Sequence, residues 1–414
     1  MHSIEHGEKL QGPVRPGLIP LVSATFLMLC HFLFLMSYYE PVISTLDSHG
    51  YYVQAKEIAV HGSGTVTLES RVQFVSAGWK SAGGDRYVSI WPPGLPMVLA
   101  AVRKAFGPEA VFLVNPLMAS LALLAVFLTC RVRVGAGWGL AAAATLGCTP
   151  FLNEHALYGY SHIAVLFFVV WGLFFVMQWV RSRSIGWALA AGLCAGYLPC
   201  IRYPAILFSL AFTVYGLLHL ERDRRVILAF AAYAAGAAIP VAMLGLYNYN
   251  LFGTFWSTGY SLIGTTPTSA FHWKTLKEAA PLYVQQLLAL GAGYTFVLGA
   301  AGVVALCARR TTWRIGVLSV LLLLPFTLLY MAYPQYPHAQ SMRFLLPTFP
   351  VYTVCAAWML HMVSEGNKRT GIVMALILVV LTATWGLPSS VRRLNALHVH
   401  QRELGDVTRA VKRH

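Results

Sequence analysis

The chain alternates long apolar runs with short polar connections. The runs fall at about 17–37, 110–130, 137–152, 161–180, 185–200, 204–220, 226–247, 284–307, 315–333, 344–362 and 370–387. A helix needs about 20 apolar residues to cross a hydrocarbon core of ~30 Å. The pattern therefore predicts an all-α polytopic membrane protein with about eleven transmembrane helices.

The connections supply a second signal. Arg131 and Arg133 follow the second run, Arg181 and Arg183 the fourth, and Arg222, Arg224 and Arg225 the sixth. Arg309, Arg310 and Arg314 follow the eighth, and Lys368 and Arg369 the tenth. Basic clusters at every second connection obey the positive-inside rule if those connections are cytoplasmic. The expectation is a multi-pass protein of the cell (inner) membrane, with its amino terminus inside and its carboxyl-terminal tail outside. The first run is too long for the apolar region of a cleavable signal, so it is expected to remain as a span.

Composition agrees with this reading. The chain is 57% hydrophobic and 11% charged, too little polar material to coat a soluble globule. Its net charge of +15 does not imply nucleic acid, because the basic residues lie in short clusters between apolar runs. The seven cysteines lie in or beside apolar runs and read as small hydrophobic side chains.

The opposite connections are longer. The first outer loop, 38–108, is expected to hold short helices at the membrane surface, and 91–106 is too short in its apolar part to be a further span. A second outer loop covers 248–281 and a third 334–343. Residues 1–388 form a single transmembrane domain, and 389–414 a basic outer tail expected to fold as a short surface helix. No separate soluble domain and no internal repeat is evident.

The fifteen acids are few enough to place one by one. Eight fall on the outer side: Glu40, Asp47, Glu57, Glu69, Asp85, Glu109, Glu154 and Glu278. No acid lies within a run, which disfavours an ion-coupled transporter. Asp47 follows the first run closely and precedes a helical pattern (Tyr51, Ala55, Ile58, Ala59) ended by Gly62; it reads as an N-cap, a catalytic acid or both. Glu154 sits in a tight outer loop, and Asp85 adjoins Arg86. His49, His61, His155 and His338 lack the spacing of a metal site. Two cations break the charge rule: Arg343 opens the tenth run on the outer side, and Arg202 lies in PCIRYP at another outer end. Guanidinium is suited to gripping a phosphate, although snorkelling to headgroups is the plainer alternative.

Four segments in this order resemble the GT-C glycosyltransferases, membrane enzymes that use polyprenyl-phosphate sugars. They are Asp47 with its surface helix (Tyr51, Tyr52, Ala55, Gly62), WPPG at 91–94, YNYNLFGTFWSTGY at 247–260 and RFLLPTFP at 343–350. The resemblance is greatest to bacterial relatives of protein O-mannosyltransferases and of aminoarabinose transferase. It implies inverting transfer from a polyprenyl-phosphate donor to a lipid, glycan or protein acceptor on the outer face, among membrane lipids and without nucleic acid. By the same resemblance Asp47 would be the acid near the reacting centre, and Arg343, with Arg202, would hold the donor phosphate. Glu154 joins Asp47 as a catalytic candidate because an acid in so tight an outer loop should face water or the cavity formed with the first loop. Tyr51, Tyr52, Trp91, Tyr260 and His338 would line the substrate site.

Departures are clear. Protein O-mannosyltransferases carry Asp-Glu where this chain has Asp47-Ser48, and aminoarabinose transferases have Lys where Trp91 stands. No cofactor is expected; the class includes metal-using and metal-free enzymes, and no sequence feature supports a metal. The rival readings are a lipid-linked-sugar flippase or other transporter, and a non-catalytic membrane subunit.

Overall fold

The structure, a computed structural model, describes residues 17–68, 78–264, 271–333, 339–365 and 367–413. Its helices, in chain order, begin with α1 (Leu18–Met36), α2 (Leu46–His61), α3 (Gly94–Phe106), α4 (Val114–Val134) and α5 (Ala136–Gly147). There follow α6 (Pro150–Leu157), α7 (Ser161–Ser182), α8 (Ile185–Ile201), α9 (Ile206–Leu217) and α10 (Arg224–Phe252). The last are α11 (Trp273–Ala289), α12 (Tyr294–Ala308), α13 (Trp313–Met331), α14 (Phe349–Val363) and α15 (Lys368–Arg413). A 3-10 segment, Ala339–Thr348, leads into α14.

Each expected run coincides with helix, and the chain is a multi-pass membrane protein. Among the described residues, seven helical stretches are long and apolar enough to cross alone, and an eighth is counted if α11 and α12 are one span bent by 112°. Apolar stretches at α8 and α9 are shorter, and α5 has only 12 residues. Length and composition thus support seven or eight spans, short of the expected eleven. The continuous run at 284–307 is interrupted, with Gly291 and Gly293 between the two helices and Gly293 at φ 55.

The basic connections gather at one end of the bundle. Arg181 donates to the Val132 carbonyl, Arg183 pairs with Glu221 and Asp223, and Arg309 pairs with Glu365. Within the bundle, small residues permit close approach. Gly192 and Gly196 on α8 face the Tyr233 and Ala237 carbonyls of α10, where an added Cβ would come within 2.1 and 2.2 Å. This is the small-xxx-small contact that membrane helices favour.

A buried polar cluster also crosses the apolar interior. His31 of α1 lies 2.8 Å from Ser120 of α4 and 2.9 Å from Asn153 of α6, and Asn153 donates to the Gly147 carbonyl and to Ser390 of α15. No charged residue marks it in the sequence. Each group has a partner, as buried polar groups require, so it ties four helices together.

The long first loop is more ordered than a surface connection. It holds α2, α3 and a three-stranded antiparallel sheet of β1 (Thr65–Thr67), β2 (Trp79–Ser81) and β3 (Arg86–Ser89), in order β1-β3-β2. Helix α3 has 13 residues, about 20 Å, too short to span. The tail is not the separate short helix expected after Pro388. Pro388 lies inside α15, whose 46 residues extend about 70 Å and carry the chain well past its apolar part.

Candidate active site

Helix α2 starts from a capping box: Thr45 accepts from the Ser48 backbone N–H at 3.2 Å, and Ser48 accepts from that of Thr45 at 3.2 Å. Thr45 is therefore the cap. Asp47 lies in the first turn with its carboxylate released from capping, at the positive end of the helix dipole.

Arg343, in the 3-10 segment, brings its Nη2 to 3.5 Å from Asp47 Oδ2. Its Nη1 donates to the Tyr160 hydroxyl at 3.2 Å, and its guanidinium lies over the Tyr160 ring at 4.7 Å. Arg202 approaches from the end of α8, donating to Ser161 at 3.2 Å and to the Tyr330 hydroxyl at 3.4 Å. Both guanidiniums stand 5.3 Å from the centroid of the Phe344 ring. That ring is fixed by stacking on Tyr330, 4.7 Å away and 4° from parallel. Among the described residues, each arginine also has a buried Nε–H without a partner. Two guanidiniums and one carboxylate thus leave net positive charge beside an aromatic wall. Such a place is suited to an anion.

The other expected residues are dispersed around this core. Tyr51 is buried and shares a 2.8 Å hydrogen bond with Ser161, which connects it to Arg202; burial raises its hydroxyl pKa. Tyr260 meets the edge of Tyr203, and burial pushes its hydroxyl up to about 12, with Arg202 pulling the other way. Tyr52 packs against Phe112 and the turn at Gly159. Trp91 is wedged against Gly50, Gly78 and Tyr51, a packing position. Glu154 pairs with Arg393 at 2.6 Å and accepts from Tyr158 at 3.5 Å. His338 lies outside the described residues.

The structure adds neighbours that no sequence pattern singled out: Tyr160, Ser161, His162, Tyr330 and Arg393. His162 is buried between Tyr160 and Phe344, and neither ring nitrogen has a partner among the described residues. The sequence TPFLNEHALYGYSH contained the first three, and its two tyrosines beside an acid were the available signal. Among the described residues, no three His, Cys, Asp or Glu side chains gather as a metal site would require.

The chain adopts the fold of the GT-C enzymes. Its residues 91–247 match the profile of the dolichyl-phosphate-mannose-protein mannosyltransferase family. Solved structures of the Archaeoglobus fulgidus oligosaccharyltransferase are similar in fold. The complex with Zn and sulfate aligns at TM-score 0.58 and 13% identity, over 92% of this chain and 53% of that one. The oligosaccharyltransferase AglB of the same organism, in complex with an inhibitory peptide and a dolichol-phosphate, aligns at TM-score 0.54 and 13% identity, over 91% of this chain and 56% of that one. This chain thus spans just over half the length of those relatives. A comparison with curated proteins returns no match.

Proposed function

We propose that the chain is a glycosyltransferase that moves a sugar from a polyprenyl-phosphate donor to an acceptor hydroxyl or amide at the outer membrane face, with inversion. The observation that carries this reading is the meeting of Asp47 with Arg343 beside Arg202. A lipid phosphate leaving group requires cationic stabilisation where its charge grows, and the attacking group requires a base close by. Arg343 and Arg202 supply the first through their free Nε–H groups, and Asp47 supplies the second. The family match and the dolichol-phosphate complex of the archaeal relative support a lipid-linked donor. The basic ends of the helices gather away from Asp47, in accord with an outer-facing site.

The displacement balances simply. The acceptor oxygen or nitrogen bonds to the anomeric carbon from the face opposite the phosphate, the carbon–oxygen bond to phosphate breaks, and polyprenyl phosphate departs with that electron pair. Asp47 receives the acceptor proton. The test is to incubate purified protein in proteoliposomes with radiolabelled polyprenyl-phosphate sugars and follow label into lipid, glycan and protein. Label transfer that Asp47→Asn abolishes supports the proposal; donor crossing the bilayer without transfer would favour the flippase reading instead.

A further inference from the structure

Beyond its apolar half, α15 runs on against α6 and the segment 38–45 that leads into α2. A single helical stripe makes the contact. Ser390 accepts from Asn153 at 3.0 Å, and Arg393 pairs with Glu154 at 2.6 Å. Leu394 and Leu397 are buried, and His398 Nδ1 lies 3.3 Å from the Tyr38 carbonyl and 3.8 Å from Glu40. Gly405 faces Val42, whose Cγ2 would stand 3.2 Å from an added Cβ. The spacing of three and four residues is that of one helix face.

Gln401 lies in the middle of this stripe and is fully buried. Its Nε2 donates to Ser44 Oγ at 3.2 Å and to the Leu157 carbonyl at 3.3 Å. One amide thus clamps the residue before the α2 cap to the end of α6. The next residue, Thr45, caps α2 and also hydrogen-bonds Tyr160, the phenol to which Arg343 donates. From Gln401 to Asp47 every link is a named bond or a chain neighbour.

We propose that Gln401 is a positioning residue for Asp47: the far half of α15 straps down residue 44 and so sets where α2 begins and where the Asp47 carboxylate points. The kinetic part rests on the transferase reading, whereas the strap itself does not. Misplacing a reacting group by about 1 Å can cost on the order of a hundredfold in rate.

The experiment uses Gln401→Leu in the full chain, reconstituted in nanodiscs, with two readouts. Hydrogen exchange should accelerate in residues 42–50 and stay unchanged in α10. The turnover number should fall by roughly tenfold to a hundredfold, while KM for the donor stays within about twofold because Arg343 is untouched. Adding Val42→Cys and Gly405→Cys should restore both readouts on oxidation and lose them on reduction; oxidised Gln401→Leu without the new pair should show no rescue. Gln401→Asn, too short to reach both partners, gives the same reading should the Leu variant not fold. Unchanged exchange at 42–50 would overturn the strap, whether or not the protein transfers sugar. Accelerated exchange with normal turnover would overturn the positioning role while leaving the transferase reading intact.

Discussion

Asp47 and Arg343 stand 296 positions apart in the chain and 3.5 Å apart in space, each about one-fifth exposed. The contact lies at the long end of an ion pair, and the cation keeps a second bond to Tyr160. Neither group is therefore consumed by the other. The carboxylate is held at the start of a helix whose cap is another residue, and the guanidinium retains an unpartnered Nε–H. An acid and a cation in contact, each with unused capacity, can act on different parts of one substrate.

Asp47→Asn tests the acid. The amide retains size and hydrogen bonding and lacks the basic oxygen. A general base is typically worth about 10²–10⁴ in rate, so turnover should fall by that factor with little change in KM for the donor. Initial rates of label transfer check this, with thermal stability as the control for folding. Wild-type turnover would remove Asp47 from the role of base.

The cation is tested by comparing two replacements. Arg343→Lys keeps charge but loses the planar fork that holds Phe344, Tyr160 and an anion together. Arg343→Ala also leaves Asp47 without its partner. Donor KM should rise in both, more in the alanine variant, by about tenfold or more if one charge-assisted hydrogen bond of about 1.5–3 kcal/mol is lost. Normal KM in both would mean that the side chain serves only to anchor the 3-10 segment.

The sequence showed the spans and the two charges better than it showed their surroundings. Among the described residues, the apolar runs coincide with every helix long and apolar enough to cross, and they overcounted the spans because shorter helices such as α5, α8 and α9 are apolar too. Arg343 was visible because a cation at the outer end of a span breaks the charge rule, and Asp47 because acids are few and this one stands between the first run and a helical pattern. The partners were not: Tyr160, Tyr330 and Phe344 are aromatic residues in an aromatic-rich chain, and no local pattern marks which of them face one another. The cap at Thr45 and the pairing of Glu154 with Arg393 were equally hidden, since both depend on rotamer and on contacts across 239 residues in the second case. The unbroken α15 escaped because proline normally argues for an end, and here tertiary contacts outweigh that preference.

Gly50 gives a stability prediction in which two effects oppose. It lies inside α2, where alanine would ordinarily stabilise by about 1 kcal/mol. A Cβ there would meet Trp91 Cζ3 at 2.1 Å, and Trp91 is hemmed in by Gly78 and Tyr51. Overpacking of that kind costs about 1–3 kcal/mol, so Gly50→Ala should lower the melting temperature despite its better helix propensity. Adding Trp91→Phe should return part of the loss, and a double-mutant cycle of melting temperatures measures the coupling. Additive effects would show that the two residues do not press on one another.

His155 predicts how stability depends on pH. It is buried against Phe151, Tyr158 and Tyr160, and burial pulls its pKa down to about 3, with the Phe151 carbonyl opposing and Arg343 and Arg393 adding to the fall. The unfolded imidazole titrates near 6.5, so between about 3 and 6.5 the unfolded state binds the extra proton. Stability from this residue is complete above pH 6.5 and declines as pH falls toward 3. At pH 4.5 the loss amounts to about 2–3 kcal/mol, two pH units at about 1.4 kcal/mol each. His155→Gln does not titrate and should be the less stable protein at pH 8, with a deficit that shrinks or reverses by pH 4.5. Parallel melting curves for the two proteins across that range would instead place the acid sensitivity on other groups.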